Sequence, residues 1–121
     1  MTRYLTLVLL TASWCSVALA SDHDDADVAL GKAQTAVKAA ESADAATAAA
    51  PELEMARNNL AAANGASERH QWKESMMSSE KAQADAELAA ARAREKRATA
   101  ATAEIEASVE TLRREIEQPG S

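Results

Sequence analysis

Apolar residues recur along much of the chain every three or four positions, which is the spacing of one face of an α-helix. The first such run is made of alanine, leucine and valine. Its members are Ala26, Leu30, Ala33, Val37 and Ala40. Aspartates precede the run and suit the positive end of a helix dipole. We therefore predict a first helix over 26–48.

A second helix is predicted to begin at Pro51, because proline followed by acidic residues is typical of a first helical turn. Its apolar face is carried by Leu53, Ala56, Leu60 and Ala63. Asn64-Gly65 could form a turn. A helix that continues to Glu68 fits the pattern better, with the turn at residues 69–71.

The third predicted helix covers about 71–117, a span without glycine or proline that ends at Gln118-Pro119-Gly120. It is far longer than the second helix and must extend beyond it. The predicted fold is all-α: an elongated three-helix antiparallel hairpin arrangement whose long C-terminal helix ends in a coiled-coil segment. The expected parts are an alanine-rich helical domain over 21–100, a coiled-coil extension over 101–117 and a tail over 118–121.

The predicted extension carries an apolar seam with heptad spacing. The seam consists of Thr102, Ile105, Val109, Leu112 and Ile116. β-Branched residues occupy the a positions and Leu112 a d position, as in helices that pair. We expect the seam to bind a second copy of the chain or a coiled-coil envelope protein. The alternative, that the first helix folds back over the seam, is disfavoured by its length and by the short loop at Ala49-Ala50.

Composition narrows the possible functions. The 121 residues include 32 alanines, two tryptophans, one tyrosine, one cysteine and no phenylalanine. Sheet proteins and disulfide scaffolds are disfavoured, and few bulky side chains exist to line an enzyme pocket. The net charge of −6 disfavours nucleic-acid binding. We expect no catalytic residues, no metal and no cofactor, and hence no enzyme.

The N-terminal residues resemble an export signal. Arg3 precedes an apolar stretch over 4–12, and Ala18-Leu19-Ala20 fits a signal peptidase site. The stretch is too short to span a bilayer. We predict a signal peptide over 1–20, cleavage after Ala20 and a periplasmic protein. The alternative is an outer-membrane lipoprotein anchored at Cys15, the one case in which we expect membrane attachment.

Four motifs resemble a bacterial envelope family. Ala50-Pro51-Glu52-Leu53 begins one helix, Trp72 begins the next, and Asp85-Ala86 and Leu88-Ala89 follow. This pattern resembles the alanine-rich domain of unknown function 4398, whose members are often exported or lipidated and sometimes precede an OmpA-like domain. His70-Gln71-Trp72 replaces the usual Gly-Asp-Tyr, and no OmpA-like domain follows, so peptidoglycan binding is not carried over. The family has no established chemistry.

Other candidate sites have simpler interpretations. Trp72 could stack on a ligand, but we expect it to anchor the hairpin by packing under the turn. His23 among aspartates, and His70 with Met76 and Met77, suggest metal ligands. We favour a solvated acidic tail for the first group and gap-filling methionines for the second.

The densest basic cluster is formed by Arg92, Arg94, Lys96 and Arg97. It could contact anionic cell wall or lipid head groups, or it could be a solvated face whose long side chains cover alanine surface. The function we expect is that of an exported, non-enzymatic envelope protein acting by helix–helix association. The alternative is an adaptor that binds an anionic envelope surface through this basic helix face.

Overall fold

The described residues form four helices and no strand. The computed structural model describes residues 17–118 and residue 120. The helices are α1 (Val17–Ser42), α2 (Ala45–Ala48), α3 (Ala50–Glu68) and α4 (Trp72–Glu117). The predictions of an all-α fold and of a long C-terminal helix are confirmed.

The three long helices alternate in direction. His23, near the start of α1, lies beside Trp72 at the start of α4, and the carbonyl of Ala43, just after α1, accepts a hydrogen bond from Arg97. α1 and α4 are therefore parallel, and α3 runs antiparallel to both. α1 and α3 each pack mainly on the N-terminal half of α4 and much less on each other. Consecutive long helices thus form the antiparallel hairpins that the sequence predicts.

The buried face of α4 consists of small side chains only. We name it the core stripe, and its members are Ser75, Ser79, Ala82, Ala86, Ala89 and Ala93. Their alternating spacing of four and three residues is that of a heptad seam. Because these side chains are short, the neighbouring helices approach α4 closely. The largest fully buried side chain is Leu53 of α3, which is 1% exposed.

Two buried serines in the core stripe were not predicted. The Ser75 hydroxyl donates a hydrogen bond of 3.0 Å to the carbonyl of Ala63 on α3. The Ser79 hydroxyl is buried and has no hydrogen-bond partner among the described residues. A buried hydroxyl without a partner costs about 1–3 kcal/mol. Ser75 therefore ties the hairpin together, whereas Ser79 contributes only its small size.

The connection between α1 and α3 differs from the prediction. α1 ends at Ser42 rather than near Ala48, and the single loop expected at Ala49-Ala50 is replaced by breaks at Asp44 and Ala49. Asp44 adopts a left-handed conformation with φ 63°, and Ala49 has φ −145°. We name residues 43–49 the corner. Ala43, Ala45 and Ala49 are buried there, so the two breaks let the chain bend while keeping its alanines in the core.

α1 also begins earlier than predicted. It starts at Val17 rather than Ala26 and runs without a break through the predicted cleavage position after Ala20. The rest of the predicted signal segment, including Arg3 and Cys15, lies in residues 1–16, outside the described part of the chain. The signal peptide and the lipid anchor stay predictions.

The turn between α3 and α4 is at residues 69–71, as predicted, and α3 continues through Asn64-Gly65. The amide of Gln71 donates to the Ala66 carbonyl, and the amide of His70 donates to the Ser67 carbonyl. These two bonds form a Schellman motif, in which the residue after the helix cap is left-handed and usually glycine. His70 occupies that position with φ 58°.

We predict that His70→Gly stabilises the protein. The left-handed conformation costs a residue with a side chain about 1–2 kcal/mol. Loss of the contact between the His70 and Trp72 rings, whose centroids lie 5.1 Å apart, offsets part of the gain. The free energy of unfolding, measured by urea titration followed by circular dichroism, should rise by about 0.5–1 kcal/mol. The control Gln71→Gly lies at an ordinary φ of −89° and should lower it. Equal destabilisation by both substitutions would contradict the prediction.

Candidate interaction surface

The C-terminal half of α4 is exposed to solvent. Ala93 is the last buried residue of the helix, and each residue from 94 to 118 is exposed. We name residues 94–117 the overhang; at 1.5 Å per residue it is about 36 Å long. Burial thus ends earlier than the predicted domain boundary after residue 100.

The predicted seam lies on this overhang, and its large side chains face solvent. Ile105, Val109, Leu112 and Ile116 are 63%, 53%, 57% and 77% exposed. The Thr102 hydroxyl donates to the Ala98 carbonyl at 3.0 Å, so this polar group is satisfied within the helix. The C-terminal end of α1 lies beside Arg97, before the first residue of the seam, so α1 does not cover the seam. The seam is a continuous apolar face without a cover in the described part of the chain.

The seam and the core stripe lie on different faces of α4. With about 100° of rotation per residue, the seam is turned about 140° from the core stripe. Residues that continue the core stripe beyond Ala93 include Arg97, Glu104 and Thr111, which could not form an apolar interface. This change of face explains why α1 and α3 pack on the first half of α4 only, and it directs the seam towards a different partner.

Charged residues flank the seam. Glu110 makes helix-surface ion pairs with Arg113 at 3.9 Å and with Arg114 at 3.5 Å. Such exposed pairs contribute little to stability. Glu106 and Arg113 both occupy the e position of the heptad, which borders the apolar core of a coiled coil and there influences the choice of partner.

Three residues of the basic cluster contact the corner and the start of α3. Arg92 forms a salt bridge with Glu52, whose side chain is buried. Lys96 donates to the Ala48 carbonyl, and Arg97 donates to the Ala43 carbonyl at 3.0 Å. These carbonyls lie at the ends of α2 and α1, where helices leave acceptors unpaired and the dipole attracts cations. The cations therefore attach the corner to α4.

Arg94, the fourth basic residue, borders an open groove between α1 and α4. The groove has a volume of about 610 Å³ and is also lined by Val28, Gly31, Thr35 and Glu87. It is wide open to solvent and does not enclose a ligand as binding pockets do.

Trp72 lies at the hairpin turn and is half-buried rather than part of the core. Its ring centroid is 4.3 Å from that of His23 and 5.1 Å from that of His70. It therefore joins the start of α1 to the turn between α3 and α4. Its partial burial makes Leu53, not Trp72, the most deeply buried large side chain.

The residues considered as metal ligands have internal partners or diverge. His23 Nδ1 lies 3.3 Å from the Asp27 carboxylate, one helical turn away. Met76 is half-buried and its neighbour Met77 is exposed. Within residues 17–118, no three His, Cys, Asp or Glu side chains are grouped as a metal site would require. In the same part of the chain, no helix is long and apolar enough to cross a membrane.

α1 and α3 are joined at the surface through Arg57. Its guanidinium donates to the Glu41 carboxylate at 2.7 Å and to Glu54 at 3.2 Å. Hydrogen bonds to Glu41 and then to Glu54 raise the pKa of Arg57 above its usual value. The side chains are well exposed, so this cluster orients the two helices more than it stabilises them.

Comparison with known protein families, curated proteins and solved structures gives no match for this chain.

We predict that Arg92→Ala destabilises the helical body, the part of the fold made of α1, α2, α3 and α4 up to Ala93. The substitution leaves the buried Glu52 carboxylate without its cation, and a buried charge without a partner is unfavourable. Because Arg92 itself is half exposed, we expect a loss of only about 1–2 kcal/mol in urea unfolding.

Arg94→Ala is the matched control and should change the free energy of unfolding by less than about 0.5 kcal/mol. Adding Glu52→Gln to Arg92→Ala should recover part of the loss. If Arg92→Ala and Arg94→Ala behaved alike, Arg92 would have no role in holding the corner.

Proposed function

We propose that this chain is an exported, non-enzymatic envelope protein that acts by pairing the overhang of α4 with another helix. The observation that carries the proposal is the seam: four large apolar side chains at heptad spacing, each more than half exposed, on a part of α4 that no other described helix covers. Contiguous exposed apolar surface on a soluble protein typically marks an interaction site.

The overhang has a physical reason to bind a partner. Most helical stability in proteins comes from packing of an apolar face rather than from intrinsic propensity. Residues 98–117 have favourable composition, rich in alanine and glutamate, but each is exposed and none hydrogen-bonds to another helix in the described part of the chain. A partner helix on the seam would supply that packing and would bury Ile105, Val109, Leu112 and Ile116 together.

The expected affinity is modest. Full burial of a valine, leucine or isoleucine contributes about 1.5–3 kcal/mol, and these side chains are already partly shielded by their own helix. Association costs about 4–15 kcal/mol in lost freedom of motion. We therefore expect pairing that responds to concentration rather than an obligate assembly, which suits a protein confined to a small compartment.

Export and location in the envelope rest on the sequence. Arg3, the apolar stretch after it and Ala18-Leu19-Ala20 support a signal peptide. The resemblance to domain of unknown function 4398 points to the same compartment. We propose a periplasmic location, with an outer-membrane lipoprotein anchored at Cys15 as the alternative.

The second candidate function, an adaptor for an anionic surface, has less support. Arg92, Lys96 and Arg97 have partners within the chain. A cell-wall polymer or lipid head group would have to compete with Glu52 and with two helix-end carbonyls. Only Arg94 projects without such a contact among the described residues of this cluster, and one exposed cation attracts an anionic surface weakly.

We predict that Val109→Ser with Leu112→Ser abolishes association without disturbing the helical body. Both side chains are exposed and lie outside the core, so urea unfolding of the body should change by less than about 0.5 kcal/mol. Sedimentation equilibrium of the full-length chain should show the dissociation constant rising at least about 100-fold, because the centre of the seam loses two apolar side chains.

Val28→Ser with Met77→Ser is the matched control. These side chains are 57% and 55% exposed, which matches the exposure of Val109 and Leu112, but they lie outside the overhang. Association should survive in this control. Association that is unchanged in the Val109 and Leu112 variant would contradict the proposed role of the seam.

A further inference from the structure

Resting on the proposed pairing of the overhang, we infer that the occupant of the seam is a second copy of this chain running antiparallel, with Ile105–Ile116 of each copy overlapping. Three observations carry the inference: the pairing of large side chains in one register, the charges that flank the seam, and the charges that interrupt the same face of α4 nearer the core.

One antiparallel register pairs every large side chain of the seam with another. In antiparallel coiled coils an a position faces a d position of the partner. Ile105 then lies opposite Ile116 of the second copy, and Val109 lies opposite Leu112 of the second copy. The two-fold axis repeats both pairs. No large apolar residue of the overlap faces a polar one.

The same register brings opposite charges together at the edge of the seam. Glu106 of one copy and Arg113 of the other, both at e positions, lie about 3 Å apart along the dimer axis when the helices run antiparallel in this register. Each Glu106 therefore meets Arg113 of the second copy, and symmetry makes two such pairs. A shift of the antiparallel register by one heptad places Glu106 opposite Glu106 of the second copy, which is repulsive.

A parallel pair lacks these contacts. There an e position faces a g position of the partner, so Glu106 meets Ala101 and Arg113 meets Ser108 of the second copy. The β-branched residues at a and Leu112 at d suit a parallel two-stranded coiled coil. That arrangement, however, leaves both charged e positions without an opposite charge across the seam.

The heptad face also continues backwards along α4, where it carries charges. Lys81 and Glu95 occupy the same position as Thr102, Val109 and Ile116, and both are exposed. An in-register parallel dimer would place each of them against the identical residue of the second copy. The antiparallel overlap ends at Ile105 and leaves Lys81 and Glu95 apart from their copies in the dimer.

The two orientations differ strongly in length. At 1.5 Å per residue, an antiparallel dimer that overlaps at Ile105–Ile116 extends about 115 Å between its two hairpin turns, with one helical body at each end. A parallel dimer extends about 70 Å, the length of α4 alone, with both bodies at the same end.

The first test is small-angle X-ray scattering of the full-length chain, coupled to chromatography and light scattering. We expect a dimeric mass with a maximum dimension of at least about 115 Å. A dimer of about 70 Å would overturn the antiparallel arrangement while leaving self-association intact. A monomer at every concentration would overturn self-association itself, so the two failures are distinguishable.

The second test reverses charges and uses mixtures. Glu106→Arg alone places two arginines together across the antiparallel seam, and Arg113→Glu alone places two glutamates together. A mixture of the two variants restores both opposite-charge pairs. Native mass spectrometry of the mixture should show the heterodimer about fivefold in excess of each homodimer.

The matched control is the pair Glu104→Arg and Arg114→Glu, which changes net charge identically on the outer face of the overhang. Its mixture should show only the statistical proportion of heterodimer. Equal preference in the two mixtures would overturn the antiparallel register, because general attraction between chains of different net charge would then explain the result. Circular dichroism of each variant confirms that the helices are retained.

Discussion

Close approach of helices at small side chains is the constraint on which this structure depends. Alanine and serine in the core stripe let α1 and α3 lie near the backbone of α4, so that contact between helices replaces a core of large side chains. The arrangement works only where the stripe is uninterrupted. It ends at Ala93, and beyond that residue α4 buries no further side chain on that face.

The core stripe ends where the corner packs on α4 and where the overhang begins. At this end of the stripe the corner bends twice to keep Ala43, Ala45 and Ala49 buried, and Lys96 and Arg97, just beyond Ala93, donate to the carbonyls that the helix ends expose. After it, the apolar residues of α4 move to another face and increase in size, from alanine to isoleucine, valine and leucine. Body and overhang therefore use the same heptad spacing for different purposes: small residues hold the body together, and large residues are left for a partner.

The periodicity of apolar residues and the positions of helix-breaking residues predict most of the fold. The ends of α3 and α4 are predicted to within a residue. Pro51 marks the start of α3, the polar residues 69–71 mark the turn, and no glycine or proline interrupts α4 before Gln118. The corner could not be predicted in this way, because alanine favours helix on both sides of Asp44 and no glycine or proline marks the break. Burial of alanines against α4 decides it, and that is a tertiary effect.

The sequence likewise predicts only part of the candidate interaction surface. The seam follows from spacing and side-chain size alone. The sequence does not predict that three of the basic residues are bound within the chain. The partners of Arg92, Lys96 and Arg97 lie about 40–54 residues earlier in the sequence, outside α4. Nor did the sequence indicate that Ser75 and Ser79 would be buried, because serine is usually exposed. Residue type identified the surfaces here, and three-dimensional contact identified which of them are already occupied.

Hydrogen exchange of the overhang amides as a function of protein concentration tests the central claim most directly. An unpaired helix without tertiary contacts opens readily, and its amides exchange quickly. If the seam pairs, amides of residues 105–116 should become at least about tenfold more protected between dilute and concentrated protein. Amides of the core stripe should not change. Protection of residues 105–116 that stays constant while the measured mass shifts from monomer to dimer would contradict the account, because association would then occur elsewhere on the molecule.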